Sequence, residues 1–322
     1  MKKCIAALVA ASLALAVGVA SAQDKKTRIA IGTGGTSGVY YPLGGGLAAV
    51  ISKYVPGVDA TAEVTAGSIA NLQLIGGGKS ELGFTMADSA WDAYNGLEKF
   101  KDKKVGLRTL VVFYPNRMQV VTVDGKGIEK FADLKGKRIS TGAPASGTEV
   151  MSMRLLEAHG IDPNKDVTRE RLSVGESVSA LKDGKIDALM WVGGVPTPGL
   201  TDLAATPGKK IKLIDHGDGA EGMRKKYGPI YVKNRILANA YPGETRETTN
   251  VDVWNLIVVP ENADEKLVYD ITKTMFEKKE ELVKVHKDAS FLSLDTQMTG
   301  ASPIPFHPGA LRYFKEKGLK VN

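Results

Sequence analysis

After residue 22, short apolar runs alternate with segments of helical period, and glycine-rich breaks separate them. Ile29 to Ile31 reads as a buried strand, Gly32 to Gly38 as a loop, and Leu43, Leu47, Val50 and Ile51 recur at helical spacing. Asp59 to Thr65 alternates like a strand, and Ser68, at an N-cap position, opens a helix through Ile75. Glu81 to Met86 reads as a further strand, and Ala87, Asp88 and Ser89 open the next helix. Leu107 to Tyr114 and Met118 to Val123 read as two strands interrupted by Pro115, Asn116 and Arg117.

The order then begins again. Lys137 to Ser140 reads as a strand, Thr141 to Thr148 as a loop, and Glu149 to Ala158 as a helix. Ser146 and Glu149 have the spacing of a capping box, and His159-Gly160 is the stop. Arg171 to Val174 reads as a strand, Glu176 to Asp183 as a helix and Ile186 to Val192 as a strand. Thr33-Gly34 with Ser37-Gly38 corresponds to Thr141-Gly142 with Ser146-Gly147. Gly78-Lys79 and Gly184-Lys185 each follow their loop by about 45 residues. Two such α/β units place their loops face to face across a cleft.

Beyond Pro198, Lys210 to Ile214 reads as a strand, Glu221 to Tyr227 as a helix and Val251 to Val259 as an apolar strand. Ala263 to Lys287 carries the longest helical pattern, with Leu267, Ile271, Met275, Leu282 and Val285 in phase. This late segment is expected to return to the first unit, with crossings near 115–123 and 250–256 forming a hinge. Lobe 1 would then comprise 23–122 and 251–322, and lobe 2 residues 123–250.

Composition narrows the setting. Lys2 and Lys3, the apolar run from Ile5 to Val19, and Ala20-Ser21-Ala22 form a secretory signal peptide, residues 1–22. The run is too short and too weakly flanked for a membrane anchor, so a soluble periplasmic protein is expected. The single cysteine, Cys4, lies in that leader, which leaves the mature chain without a disulfide or a thiol nucleophile. The 43 basic and 36 acidic residues give a net charge of +7, reduced to +5 once Lys2 and Lys3 are removed. The basic residues are scattered pairs without interleaved aromatics, a pattern that argues against nucleic acid.

The chemistry-bearing patterns fail one by one. Gly32-Thr-Gly34 begins a dinucleotide fingerprint that ends on Ser37, and Gly142 to Thr148 has Thr148 where a phosphate loop carries lysine. His159, His216, His286 and His307 are dispersed and read as surface or helix-end residues, and no serine sits in a G-x-S-x-G elbow. No catalytic residue, metal or cofactor is expected. What remains is a binding site in which hydroxyls and backbone N–H groups at helix starts suit a small anion. The candidates are Thr36, Ser37, Gly38 and Tyr40 from the first loop, Ser68 and Asn71 from the next helix start, and Ser146, Gly147, Thr148 and Trp191 from the second unit. Tyr40, Tyr41 and Trp191 are placed to wall a pocket and offer polar tips, whereas Arg117 is expected in a surface salt bridge. The rival reading is an exported enzyme using Asp88, Glu149 or Tyr40 as acid or base.

Four stretches taken together resemble the TAXI family of solute-binding proteins, which serve tripartite ATP-independent periplasmic (TRAP) transporters. They are Ile31-Gly-Thr-Gly-Gly-Thr-Ser-Gly-Val-Tyr-Tyr-Pro42, Gly67-Ser-Ile-Ala-Asn-Leu72, Thr141-Gly-Ala-Pro-Ala-Ser-Gly-Thr148 and Pro305-Phe-His-Pro-Gly-Ala-Leu-Arg-Tyr313. The resemblance covers essentially the whole mature chain. It implies an α/β, two-lobed periplasmic-binding-protein fold of type II, with the ligand cleft between lobes joined by two hinge strands. It also implies a monomer that captures a small carboxylate, such as glutamate or a related five-carbon acid, and passes it to an ion-gradient-driven permease. Met190-Trp191-Val192-Gly193-Gly194 departs from the Phe-rich sequence expected there, so the ligand is not carried over with the rest. Protein expressed from the full-length sequence and recovered from the periplasm should begin at Gln23 by intact-mass measurement; retention of residues 1–22 would refute the leader.

Overall fold

The computed structural model describes residues 26–320; the leader at 1–22 lies outside them, as do 23–25 and 321–322. The first unit runs β1 (Thr27–Gly32), α1 (Tyr40–Tyr54), β2 (Val58–Glu63), α2 (Ser68–Gly76), β3 (Leu82–Met86) and α3 (Ala87–Asn95). A long strand, β4 (Leu107–Val123), leads into the second unit of β5 (Arg138–Ser140), α4 (Gly147–Ala158), β6 (Thr168–Glu170), α5 (Val174–Lys182) and β7 (Ala188–Gly193). There follow α6 (Pro198–Ala204), β8 (Ile211–Leu213), α7 (Gly219–Tyr227), β9 (Val232–Ile236) and a second long strand, β10 (Thr248–Pro260). The chain closes with α8 (Glu265–Glu277), α9 (Lys279–Val285), α10 (Leu294–Gln297) and α11 (Pro308–Glu316).

The strands form one sheet in the order β2-β1-β3-β10-β4-β7-β5-β6, with β8 on β4 and β9 on β10. β1 lies parallel between β2 and β3, and β5 lies parallel between β6 and β7, so both units repeat one βαβαβ plan. The correspondence between the two glycine loops therefore reflects a shared topology, in which each loop leaves the carboxyl end of a central parallel strand. β10 runs antiparallel to β3 and β4, which gives the two-lobed α/β architecture of the type II periplasmic-binding-protein class.

β4 and β10 belong to both lobes. β4 pairs with β10 from Leu107 to Arg117 and with β7 from Arg117 to Thr122; β10 pairs with β9 from Thr248 to Asp252. The two strands predicted on either side of Pro115 are thus one. Pro115 lies opposite Trp254 of β10 and two residues before β4 takes up β7 at Arg117, so only one side of the strand is paired there. Register shifts between Asn255 and Leu256 and between Ile257 and Val258 sharpen the twist beside this crossing.

Other boundaries shifted for identifiable reasons. Residues predicted as strand at Arg171 to Val174 instead lead into α5, because Ser173 accepts from the Glu176 N–H and the Glu176 carboxylate accepts from the Ser173 N–H. At the predicted capping box, Ser146 does cap α4, but Glu149 turns to Arg171, 2.5 Å away. The long helical pattern at 263–287 breaks at Lys278, whose backbone leaves the helical region, so α9 folds separately toward α1. β9 was not foreseen; most of its residues are exposed, so no alternating apolar pattern marks it.

Two polar groups near the crossing are buried. Asp252, opposite Arg117 in the β4–β10 ladder, receives bonds from Asn234 and Asn250. Burial nevertheless pushes its carboxyl up to about 6. His216, expected at the surface, is buried beside Phe131, and desolvation lowers it to about 4. A raised acid favours the fold while protonated, so the contribution of Asp252 is complete below about pH 4 and is lost as pH rises through about 6. Asp252→Asn should flatten the unfolding midpoint between pH 4 and 6 relative to wild type, by up to about 1.4 kcal/mol per pH unit. Parallel urea curves for the two proteins across that range would refute this.

Candidate functional site

A cavity lies between the two units at the carboxyl ends of their parallel strands. It offers about 70 Å³ to the centres of water-sized molecules, several times the roughly 10–15 Å³ that one water needs. The first unit contributes Gly34, Gly38, Val39 and Tyr40, then Thr65 to Ser68, then Met86. The second contributes Ala143, Ser146 to Thr148, Ser173, Val174, and Trp191 to Gly193.

Four helices, α1, α2, α4 and α5, begin at this cavity. The N-caps of α1 and α2 are Val39 and Gly67, and neither end has a side-chain cap. Ser146 and Ser173 cap α4 and α5 by accepting the third helical N–H, which leaves the first-turn N–H groups facing the cleft. Gly67 adopts φ +113° and Gly142 φ +99°, conformations that only glycine takes readily. The convergence of four positive helix ends favours an anion. Among the described residues that line the cavity there is no Asp, Glu, Lys, Arg or His.

Gly38, Tyr40, Ser68, Ser146, Gly147, Thr148 and Trp191 all reach the lining. Thr36 is exposed on the loop. Ser37 instead accepts the Gly199 N–H across the cleft, at 3.0 Å. Asn71, fully buried, donates to the Thr33 and Phe84 carbonyls at 2.7 and 2.8 Å and accepts from Thr65. It clips the glycine loop, β3 and α2 together from behind. Ser68 is the first helical residue rather than the cap, and its hydroxyl accepts the Met86 N–H at 3.1 Å.

The aromatic walls keep their polar tips out of the apolar part of the cavity. Trp191 donates its indole N–H to Thr197 at 2.9 Å, and its ring edge faces Gly38, where a Cβ would lie 3.1 Å from it. The Tyr40 hydroxyl accepts from Asn116 at 3.0 Å, and burial raises its pKa well above the ordinary value. Lining residues not anticipated from sequence include Thr65, Met86, Ser173 and Val174. The S-x-x-E spacing of Ser173 and Glu176 marked a helix start, and the carboxyl ends of β2 and β3 marked Thr65 and Met86.

The two units touch on both sides of the cavity. The Ala70 N–H reaches the Ala145 carbonyl at 3.1 Å, and the Val195 N–H reaches Asp288 at 2.9 Å. Arg117 pairs with the same Asp288 at 3.4 Å in a largely buried setting, not on the surface. Outside the cavity, Arg154 of α4 binds Asp92 of α3 at 2.6 Å and donates to Tyr231, which donates to Asp88. All four are buried, and desolvation pushes Asp92 up to about 6 despite Arg154.

These features define the class: a two-lobed binding fold with its cleft between the lobes. The chain belongs to the NMT1-like family, whose model matches residues 31–318. Among solved structures it is similar to one from Bordetella bronchiseptica RB50, with 19% identity over 90% of this chain and 89% of that one, at a TM-score of 0.51. A putative L-cystine ABC transporter protein from Listeria monocytogenes matches with 18% identity, 82% and 97% coverage, and a TM-score of 0.50. An ancestral arginine-binding protein bound to arginine matches with 14% identity, 84% and 100% coverage, and a TM-score of 0.50.

The close approach of the two units relies on a small residue at the seam. A Cβ on Gly147 would lie 2.5 Å from the Met86 sulfur and 2.7 Å from the Ser68 hydroxyl across the cleft. Gly147→Val should therefore hold the units apart. Small-angle scattering should give a larger radius of gyration than wild type with an unchanged circular dichroism spectrum; an unchanged radius would refute the close approach.

Proposed function

We propose that this chain is an exported solute-binding protein that captures a small organic anion between its lobes. The lobes are taken as residues 23–122 with 251–322, and 123–250. The observation that carries this reading is the convergence of four helix N-termini on a cavity with no charged side chain in its described lining. The candidate ligand-binding residues split into two groups. Gly38, Tyr40, Ser68, Ser146, Gly147, Thr148 and Trp191 contact the ligand, and Thr36, Ser37 and Asn71 shape or close the loop that holds it.

Delivery to a TRAP permease in the inner membrane rests on the resemblance of the four glycine- and proline-bearing stretches to the TAXI family. The binding protein acts as a monomer in the periplasm, and no helix among the described residues is long and apolar enough to cross a membrane. The enzymatic alternative required Asp88, Glu149 or Tyr40 as acid or base. Asp88 is held by Tyr231 and Glu149 by Arg171, and neither lines the cavity. The Tyr40 phenol is held protonated by burial, a poor state for a base.

Ligand-stripped protein should show a raised melting temperature with at least one small carboxylate from a panel of aliphatic, hydroxy, oxo and amino acids. The added acid should be recovered chemically unchanged after prolonged incubation. No shift across the panel, with mass spectrometry showing no retained ligand, would overturn the carboxylate reading.

A further inference from the structure

The hydroxyls of Thr65, Ser146 and Ser173 in the lining are already donated to Thr33 and Asn71, to Ala143 and to Glu176, whereas Tyr40, Ser68 and Thr148 are set differently. Ser68 accepts the Met86 N–H, Thr148 accepts the Val192 N–H at 3.4 Å, and Tyr40 accepts from Asn116. In each case a protein N–H fills an acceptor role; Ser68 and Tyr40 are also hydrogen-bonded to each other, so that pair keeps one hydroxyl proton for a ligand and Thr148 keeps its own. The first-turn N–H groups of the four helices are donors as well. The wall opposite them is apolar: Val39, Met86, Val174, Trp191 and Val192.

An α-amino acid brings an ammonium group into this setting. It would need an anionic partner, and the described lining has no carboxylate to give it. It would also face the positive ends of four helix dipoles. Burying an ammonium without a partner is strongly unfavourable, whereas a carboxylate or keto oxygen meets donors already aimed at it. Arginine, the ligand named for one structural neighbour, fails on the same ground twice over.

We infer that the site selects a small carboxylic acid that lacks an ammonium group, of the 2-oxo, 2-hydroxy or unsubstituted kind, and discriminates against the amino acid of the same skeleton. This rests on the proposed capture of a carboxylate and narrows it. Tyr40, Ser68 and Thr148 are the specificity-determining hydroxyls, and the carboxylate lies at the starts of α1, α2 and α4. A five-carbon acid fits this class as 2-oxoglutarate and is excluded as glutamate.

The test is calorimetric titration of ligand-stripped mature protein with matched pairs: pyruvate and alanine, 4-methyl-2-oxopentanoate and leucine, 2-oxoglutarate and glutamate. In every pair that binds, the oxo acid should bind at least tenfold more tightly. An amino acid that equals or exceeds its oxo partner overturns the inference and leaves carboxylate capture standing. Heat from none of the six acids, with the stripped protein shown to be folded, removes the carboxylate reading and the inference together. Ser146→Asp keeps an acceptor for the Glu149 N–H, so α4 remains capped, while adding a carboxylate beside the cavity. It should weaken the oxo acid at least tenfold and narrow the ratio within the pair. Undiminished oxo-acid affinity in a folded Ser146→Asp protein would count against the placement of the carboxylate.

Discussion

Everything in this fold hangs on the antiparallel pairing of β4 with β10. These strands are hydrogen-bonded to each other where the lobes meet, and each then acquires different partners on the two sides. The pairing makes one sheet of two βαβαβ units and fixes the direction in which their carboxyl ends face. Because both units follow the same plan, their glycine loops meet across a single cleft. β4 and β10 exchange partners near Arg117 and Asp252, beside the register shifts that bend β10.

The molecule separates two kinds of electrostatics in space. At the cavity it uses partial charges only, the first turns of four helices and neutral hydroxyls, which need no counterion. Full charges are kept to the flanks, as Arg154 with Asp92 on one side and Arg117 with Asp288 on the other. Those pairs are buried and hydrogen-bonded, so their attraction is only weakly screened by salt. The division leaves the cavity lining, among the described residues, without a resident ion.

Much of the plan was legible in the sequence because period and punctuation agree in it. The glycine stops, the apolar strands and the Ser146 cap specify their own local structure. What escaped was set by tertiary partners. Pro115 signals a break, yet β4 continues through it, paired there on only one side. Asn71 has the chemistry of a ligand contact, but its amide is used up on two carbonyls. The segment around Pro305 to Tyr313, telling as a resemblance, serves packing: His307 caps α11, and Gly309 lies so close to the Glu265 carbonyl that a Cβ would sit 2.3 Å from it. Seven of the ten candidate contacts line the cavity because loop and helix start are readable, whereas the direction of each hydroxyl proton depends on neighbours distant in sequence.

The Arg154 cluster has a kinetic consequence. It joins α3 to α4 without touching the cavity, so it links the two units through contacts separate from the lining. Were its four buried groups to part, each parting would expose charges that have to be rehydrated. Capture would then be gated by the protein's own opening rate, with observed association levelling off at high solute concentration instead of rising in proportion.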